Sequence, residues 1–224
     1  MKRFLKALAI ILLPAFLSTG CGKVNQPNAD TANNGNMQAA ALQTQINLLP
    51  KEELSVFEVS SLMLMREEEK LARDVYTTLH VKWNATVFNN ISSSEQTHMD
   101  ALLMLLNKYS LTDPVGTNAV GVFSNTTLQN LYNQLLAQGN TGITDAYKAG
   151  ATIEDLDIFD LKNALATIDN QDIRLVYESL AKGSRNHIRS FNKNILNVGG
   201  TYSAQFITQA EYDAIINSPM ETGF

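Results

Sequence analysis

From Lys51 to Leu196 the apolar residues recur every three or four positions through four long stretches, a spacing that confines the chain to amphipathic helices. The first stretch runs from Lys51 to His80, with Pro50 suited to its start, and a polar break around Lys82–Thr86 separates it from a second that carries Val87, Phe88, Ile91, Met99, Leu102 and Leu106. Asp113-Pro114 and Gly116 then mark a loop. Residues 109–141 read as one long connection with a short helix over Ser124–Gln138, Ser124 being its N-cap. Ile143–Ile168 and Gln171–Leu196 form the second pair, parted by Asp169-Asn170. Beyond Gly199-Gly200 the chain is expected to add a short extended piece and a last helix opened by a Thr208/Glu211 capping box. Nothing alternates with the period of a strand. The expected fold is therefore all-α, two antiparallel hairpins joined by a long crossover that contains a short extra helix.

The first fifty residues obey other rules. Lys2, Arg3 and Lys6 precede an apolar run, Phe4–Phe16, too short to span a bilayer, and the small residues Ser18, Thr19 and Gly20 lead to Cys21. Residues 1–20 read as an export signal. Leu17 to Cys21 resembles the lipobox of bacterial lipoproteins, with Ser18 where that pattern usually has Leu. The resemblance implies lipidation of Cys21, hence an exported protein anchored to a membrane and facing the periplasm or the cell exterior. Residues 21–48, rich in Asn, Gln, Ala and Thr, are expected to be a flexible tether, 49–198 the helical domain and 199–224 an extension. The chain has 17 Lys+Arg against 22 Asp+Glu, a formal charge of −5. Loss of residues 1–20, which hold three basic groups and no acidic one, takes it to −8. An acidic chain without a basic block has no footprint for nucleic acid. One cysteine excludes an internal disulfide framework and any multi-cysteine metal site.

Two of the three histidines stand in chemically suggestive company. Glu95 and His98 are three apart, which places both on one helix face, and Glu69 and Tyr76, seven apart, share a face as well. In an antiparallel hairpin, residues equidistant from the turn lie side by side. Glu69 and Glu95 centre on position 82, in the first break, and Glu154 and His187 centre on 170.5, in the second. Both pairs would lie in mid-helix. A Glu-x-x-His ending at His187 would need Glu at 184, where the chain has Ser184. Asp157 is i+3 from Glu154 and mirrors Ser184 across the turn, so it is read as a further ligand. Carboxylates and imidazoles without thiolate suit iron, the favoured occupant, or manganese.

The run from Glu69 to Tyr76 followed by Glu95-x-x-His98 resembles the signature of rubrerythrin-type and ferritin-like proteins. With the segments Gly150–Asp157 and Gly183–His187 it is similar to the ferritin-like family catalogued as domain of unknown function 2202, over about residues 52–197. The resemblance implies a ferritin-like four-helix bundle with a dinuclear metal centre. Glu69, Glu95, His98, Glu154 and His187 carry over as ligand positions. Tyr76 would then be a catalytic hydrogen-bond donor or electron relay in a di-iron oxidoreductase that oxidises Fe(II) or reduces O2 or peroxide. The partners expected are metal ions, O2 or peroxide and, through Cys21, a membrane, with a homodimer left open. A second reading, a metal-free lipid-anchored binding or scaffolding module, has Glu95 and His98 satisfying each other in a buried polar network. Glu67 and Glu68 read as a solvated helix face, Arg185 and Arg189 as exposed helix charges, and Met63, Met65, Met99 and Met104 as core packing. Gly150 and Gly183 mark either close helix packing or a local bulge.

Overall fold

The structure, a computed structural model, describes residues 39–222, which form seven α-helices and no strand. These are α1 (Ala39–Leu48), α2 (Val56–Trp83), α3 (Thr86–Tyr109), α4 (Thr126–Gly139), α5 (Ile143–Leu165), α6 (Gln171–Asn197) and α7 (Gln209–Ile216). The export signal, Cys21 and most of the expected tether lie outside the described residues. None of the described helices is long and apolar enough to cross a membrane.

Local chemistry sets the boundaries. Ser55 and Glu58 form a reciprocal capping box, so α2 starts at Val56, five residues after Lys51. It ends where Asn84 takes the left-handed conformation, φ 51°. The cap of α4 is Asn125, one residue past the expected Ser124, and its side chain accepts from the amides of Thr127 and Leu128. Thr208 caps α7 through the Glu211 amide. The tether expected through residue 48 is corrected at its end. Residues 39–48 are helical, and Leu42 and Ile46 bury against α3 and α6, two apolar residues that a polar composition had masked.

Side-chain pairs fix the directions of the long helices. Arg66 donates to the Met99 carbonyl and Arg73 to Gln96, so α3 descends as α2 rises. Glu154 lies beside His187 and Gly150 beside Phe191, which makes α5 and α6 antiparallel too. Tyr76 reaches Glu154 across α2 and α5, and Phe88 meets Phe191 across α3 and α6. Each long helix thus packs against two others. Their apolar residues form two separate clusters. One holds Val75, Phe88, Ala149 and Phe191, and the other Leu62, Leu105, Leu161 and Val176. Between them runs a polar layer at the level of residues 69, 95–98, 154–157 and 184–187, all of it buried where it is acidic or imidazole.

The crossover from α3 to α5 is tied to α2 by charge. Arg66 holds Asp113 at 2.9 Å, Lys70 Nζ donates to Asp74 and to the Ala119 carbonyl, and Asp74 accepts the Gly121 amide. Glu67, expected to be solvated, is 4% exposed because its Oε1 accepts the amides of Ser124 and Asn125. Glu68 is also buried, which corrects the same expectation. Arg185 and Arg189 are partly buried and grip Glu221 of the C-terminal extension. Gly150 serves close packing within an unbroken α5, since a Cβ there would lie 2.5 Å from the Phe191 ring. Gly150→Ala should therefore lower stability by about 1–3 kcal/mol in thermal or denaturant unfolding, because the buried Phe191 ring, packed against Tyr76 and Phe88, would have to shift. An unchanged midpoint would refute that packing.

Candidate metal centre

Four helices each deliver acidic or imidazole groups to the polar layer. Glu69 comes from α2, Glu95 and His98 from α3, Glu154 and Asp157 from α5, and His187 from α6. None of the six is more than 4% exposed. Two buried trios emerge, each with ligand atoms within 4.8 Å of one another: Glu69, Glu95 and His98, and Glu95, Glu154 and His187. Glu95 belongs to both. Its Oε2 lies 2.7 Å from His98 Nδ1 and its Oε1 lies 2.9 Å from His187 Nδ1. His98 Nδ1 is also 3.1 Å from Glu69 Oε2, and His187 Nδ1 is 3.4 Å from Glu154 Oε2. The imidazoles stack with centroids 5.5 Å apart. Both trios therefore pair one imidazole with one carboxylate of its own and one oxygen of Glu95.

The donor set fits two hard or borderline cations. Metal-ligating histidines ordinarily keep their second ring nitrogen for a protein acceptor. With Nδ1 turned to the carboxylates, His187 Nε2 lies 3.0 Å from Ser94 Oγ and can donate to it. Glu154 Oε1 accepts the Tyr76 hydroxyl at 2.5 Å, which leaves Oε2 facing His187, and the same hydroxyl lies 3.3 Å from the Gly150 carbonyl. Asp157 Oδ2 is buried with no hydrogen-bond partner. Such an atom is costly unless something charged occupies the space beside it.

Electrostatics give the same picture. The layer holds four carboxyl groups, Glu69, Glu95, Glu154 and Asp157, against two imidazoles, a surplus of acid that burial makes expensive without protons or cations. Burial pushes Glu69 and Glu154 up to about 7, helped by Glu95 and opposed by their histidines. Burial also raises Asp157 well above the usual range, with the neighbouring carboxylates adding to it. Burial alone would lower His98, but Glu69 and Glu95 outweigh it and hold the ring up at about 10. Glu95, flanked by both imidazoles, is held below the ordinary carboxylate range despite its burial.

The structure thus brings together five of the six residues read as ligands. Asp157 faces the same layer but belongs to neither trio. Ser184 spends its hydroxyl on the Leu180 carbonyl, so it offers nothing toward the centre. Sequence reasoning passed over Ser94. Its signal was available, because 94 and 187 are mirror positions of the antiparallel α3 and α6, like 88 and 191.

A protein whose described residues are helical throughout their regular structure, with a buried carboxylate and histidine layer that could hold metal, is the class defined so far. The chain belongs to the family described as an uncharacterised protein domain, DUF2202, whose profile matches residues 58–219. It is similar to an uncharacterised protein of Methanocaldococcus jannaschii, MJ0754, with 52% identity over 178 residues, 80% of this chain and 96% of the relative. The crystal structure of the hypothetical protein MJ0754 covers 77% of this chain and 99% of that one with a TM-score of 0.76.

Proposed function

We propose that this chain is a ferritin-like four-helix-bundle metalloprotein whose polar layer holds two iron or manganese ions and which oxidises Fe(II) or reduces O2 or peroxide. The observation that carries the reading is the position of Glu95, one oxygen turned to each imidazole and each imidazole joined by a further glutamate. Two ions there would supply one-electron redox chemistry that the carboxylates and imidazoles of the layer do not possess. The chain's own groups do the rest. Glu69, Glu95, His98, Glu154 and His187 bind, Asp157 adds negative charge, and Ser94 fixes the ring of His187. Tyr76 holds Glu154 and carries a proton at its hydroxyl, within the buried layer, while its ring packs against Phe88 and Phe191. Export and anchoring through Cys21 belong to the same proposal, with the sequence pattern as their support.

The short His98 to Glu95 contact would also suit a metal-free polar network serving a binding or scaffolding module. The surplus of buried carboxylates favours metal. The test is turnover by Fe(II)-loaded protein with O2 and with peroxide, compared with Tyr76→Phe. The variant is expected to keep its iron and lose about 1–2 kcal/mol of stability, since one buried hydrogen bond goes. Oxidation should also slow at least severalfold. Loaded protein that consumes neither oxidant would overturn the redox assignment, and equal rates would remove Tyr76 from it.

A further inference from the structure

Outside the centre, a cleft of about 480 Å³ opens between α2, α4 and α5, with Phe206 at its side. Its walls include Leu64, Leu128, Leu131 and Leu156. Glu68 and Asp160 are the ionisable groups among the described residues that line it, and no Lys, Arg or His does so. The cleft is thus acidic, polar at its α4 edge and free of a competing cation.

These two carboxyl groups stand at the outer end of a line that leads inward. Asp160, Asp157 and Glu154 follow one another at three-residue spacing along α5, which keeps them on one side of the helix. Asp160 is half-buried, Glu68 is 5% exposed, Asp157 4% and Glu154 fully buried. From α2, Glu68 lies close enough to Asp160 for the two carboxyl groups to interact in the cleft wall, while its neighbour Glu69 faces His98. Asp157 lies within the electrostatic reach of Glu68 on one side and of Glu69, Glu154 and Glu95 on the other. Glu68 Oε2 and Asp157 Oδ2 are both buried without a hydrogen-bond partner. Other buried acids of this chain have evident structural duties. Glu67 caps backbone amides, Asp74 meets Lys70 and Arg73, and Asp155 accepts the amides of Gln205 and Ile207. Among the described residues no cation or backbone amide meets Glu68, so its buried, unsatisfied oxygen in the wall of an open cleft calls for a ligand.

We propose that this cleft is the port through which a divalent cation reaches the centre, with Glu68 and Asp160 as its first binding site and Asp157 as the step between. The proposal rests on the dinuclear reading of the centre. Hard cations prefer oxygen donors, and an acidic cleft with low-dielectric walls raises their local concentration. Asp157, outside both trios yet facing them, is where a passing ion would be handed on.

Loading kinetics test this. The metal-free full chain is mixed anaerobically with Co(II), whose visible absorption reports binding, and final stoichiometry is read by elemental analysis. Glu68→Gln and Asp160→Asn should still bind two ions, but with loading slowed by about tenfold or more, and Asp160→Lys should be slower still. Asp160 is half-buried, so its variants should fold, and melting curves check this for Glu68→Gln. Two ions bound at unchanged rates would overturn the port and leave the centre standing. Loss of an ion from Glu68→Gln at unchanged rate would make Glu68 a ligand of the centre instead, which also overturns the port. A wild-type chain that takes up no Co(II), Fe(II) or Mn(II) would overturn the centre, and the port with it.

Discussion

Glu95→Gln should empty both metal positions together, taking a chain that holds about two ions to one that holds almost none. The amide has nearly the shape of the carboxylate, but it carries no charge and has one acceptor oxygen. Whichever way it turns, one imidazole faces an NH2 group instead of an oxygen. Glu69→Gln and Glu154→Gln each touch a single trio, so each should cost about one ion and leave the other. Elemental analysis after reconstitution with Fe(II) or Mn(II) and gel filtration gives the count. Helical circular dichroism separates loss of metal from loss of fold, a necessary control because breaking a buried ion pair costs about 3–5 kcal/mol. Ser184→Ala is the companion at the same depth. Its hydroxyl is already spent on Leu180, so both ions should remain. Retention of both ions by Glu95→Gln, or loss of both from Glu69→Gln, would show that Glu95 is not the shared group.

That such a residue could be picked out from the sequence at all follows from the regularity of antiparallel helices. Periodicity located the four long helices and the breaks between them, and equal distances from a turn put Glu69 with Glu95 and His98, and Glu154 with His187. What stayed hidden depends on contacts between segments far apart in the chain. Glu67 looks solvated on its own helix because the amides that bury it belong to Ser124 and Asn125. The Glu68 and Asp160 pair is invisible until α2 and α5 are placed side by side. The helix at Ala39–Leu48 escaped because two apolar anchors, Leu42 and Ile46, do not raise a polar stretch above the threshold of a pattern, although both find the cluster around Leu105. Ser184 is a different case. Its identity announced a missing ligand, and only the side-chain geometry shows Asp157 facing the layer while standing apart from both trios.

The metal-free chain should become less stable as pH rises from 5 to 9, while the metal-loaded chain should not. Glu69 and Glu154 sit at about 7 in the fold against an ordinary 4.5, so their contribution is complete below about 4.5 and is lost as pH climbs through 7. His98, at about 10 against 6.5, contributes fully below 6.5 and loses that contribution as pH climbs toward 10. Glu95 has the opposite sign. Its lowered value stabilises above 4.5 and is lost in stronger acid, which places the optimum of the metal-free form near pH 5. Bound cations displace the same protons, so their affinity grows with pH and loading near pH 7 should release on the order of one proton per ion. Melting temperatures of chelator-treated and Mn(II)-loaded protein across pH 5–9 should therefore diverge, and an indicator dye in weak buffer should register the protons on loading. Parallel curves without proton release would mean that Glu69, Glu154 and His98 do not ligate the metal. A stabilisation that widens with pH would tie these groups to the ions directly, because no exposed metal site would draw its proton release from carboxyl groups buried in the middle of the helices.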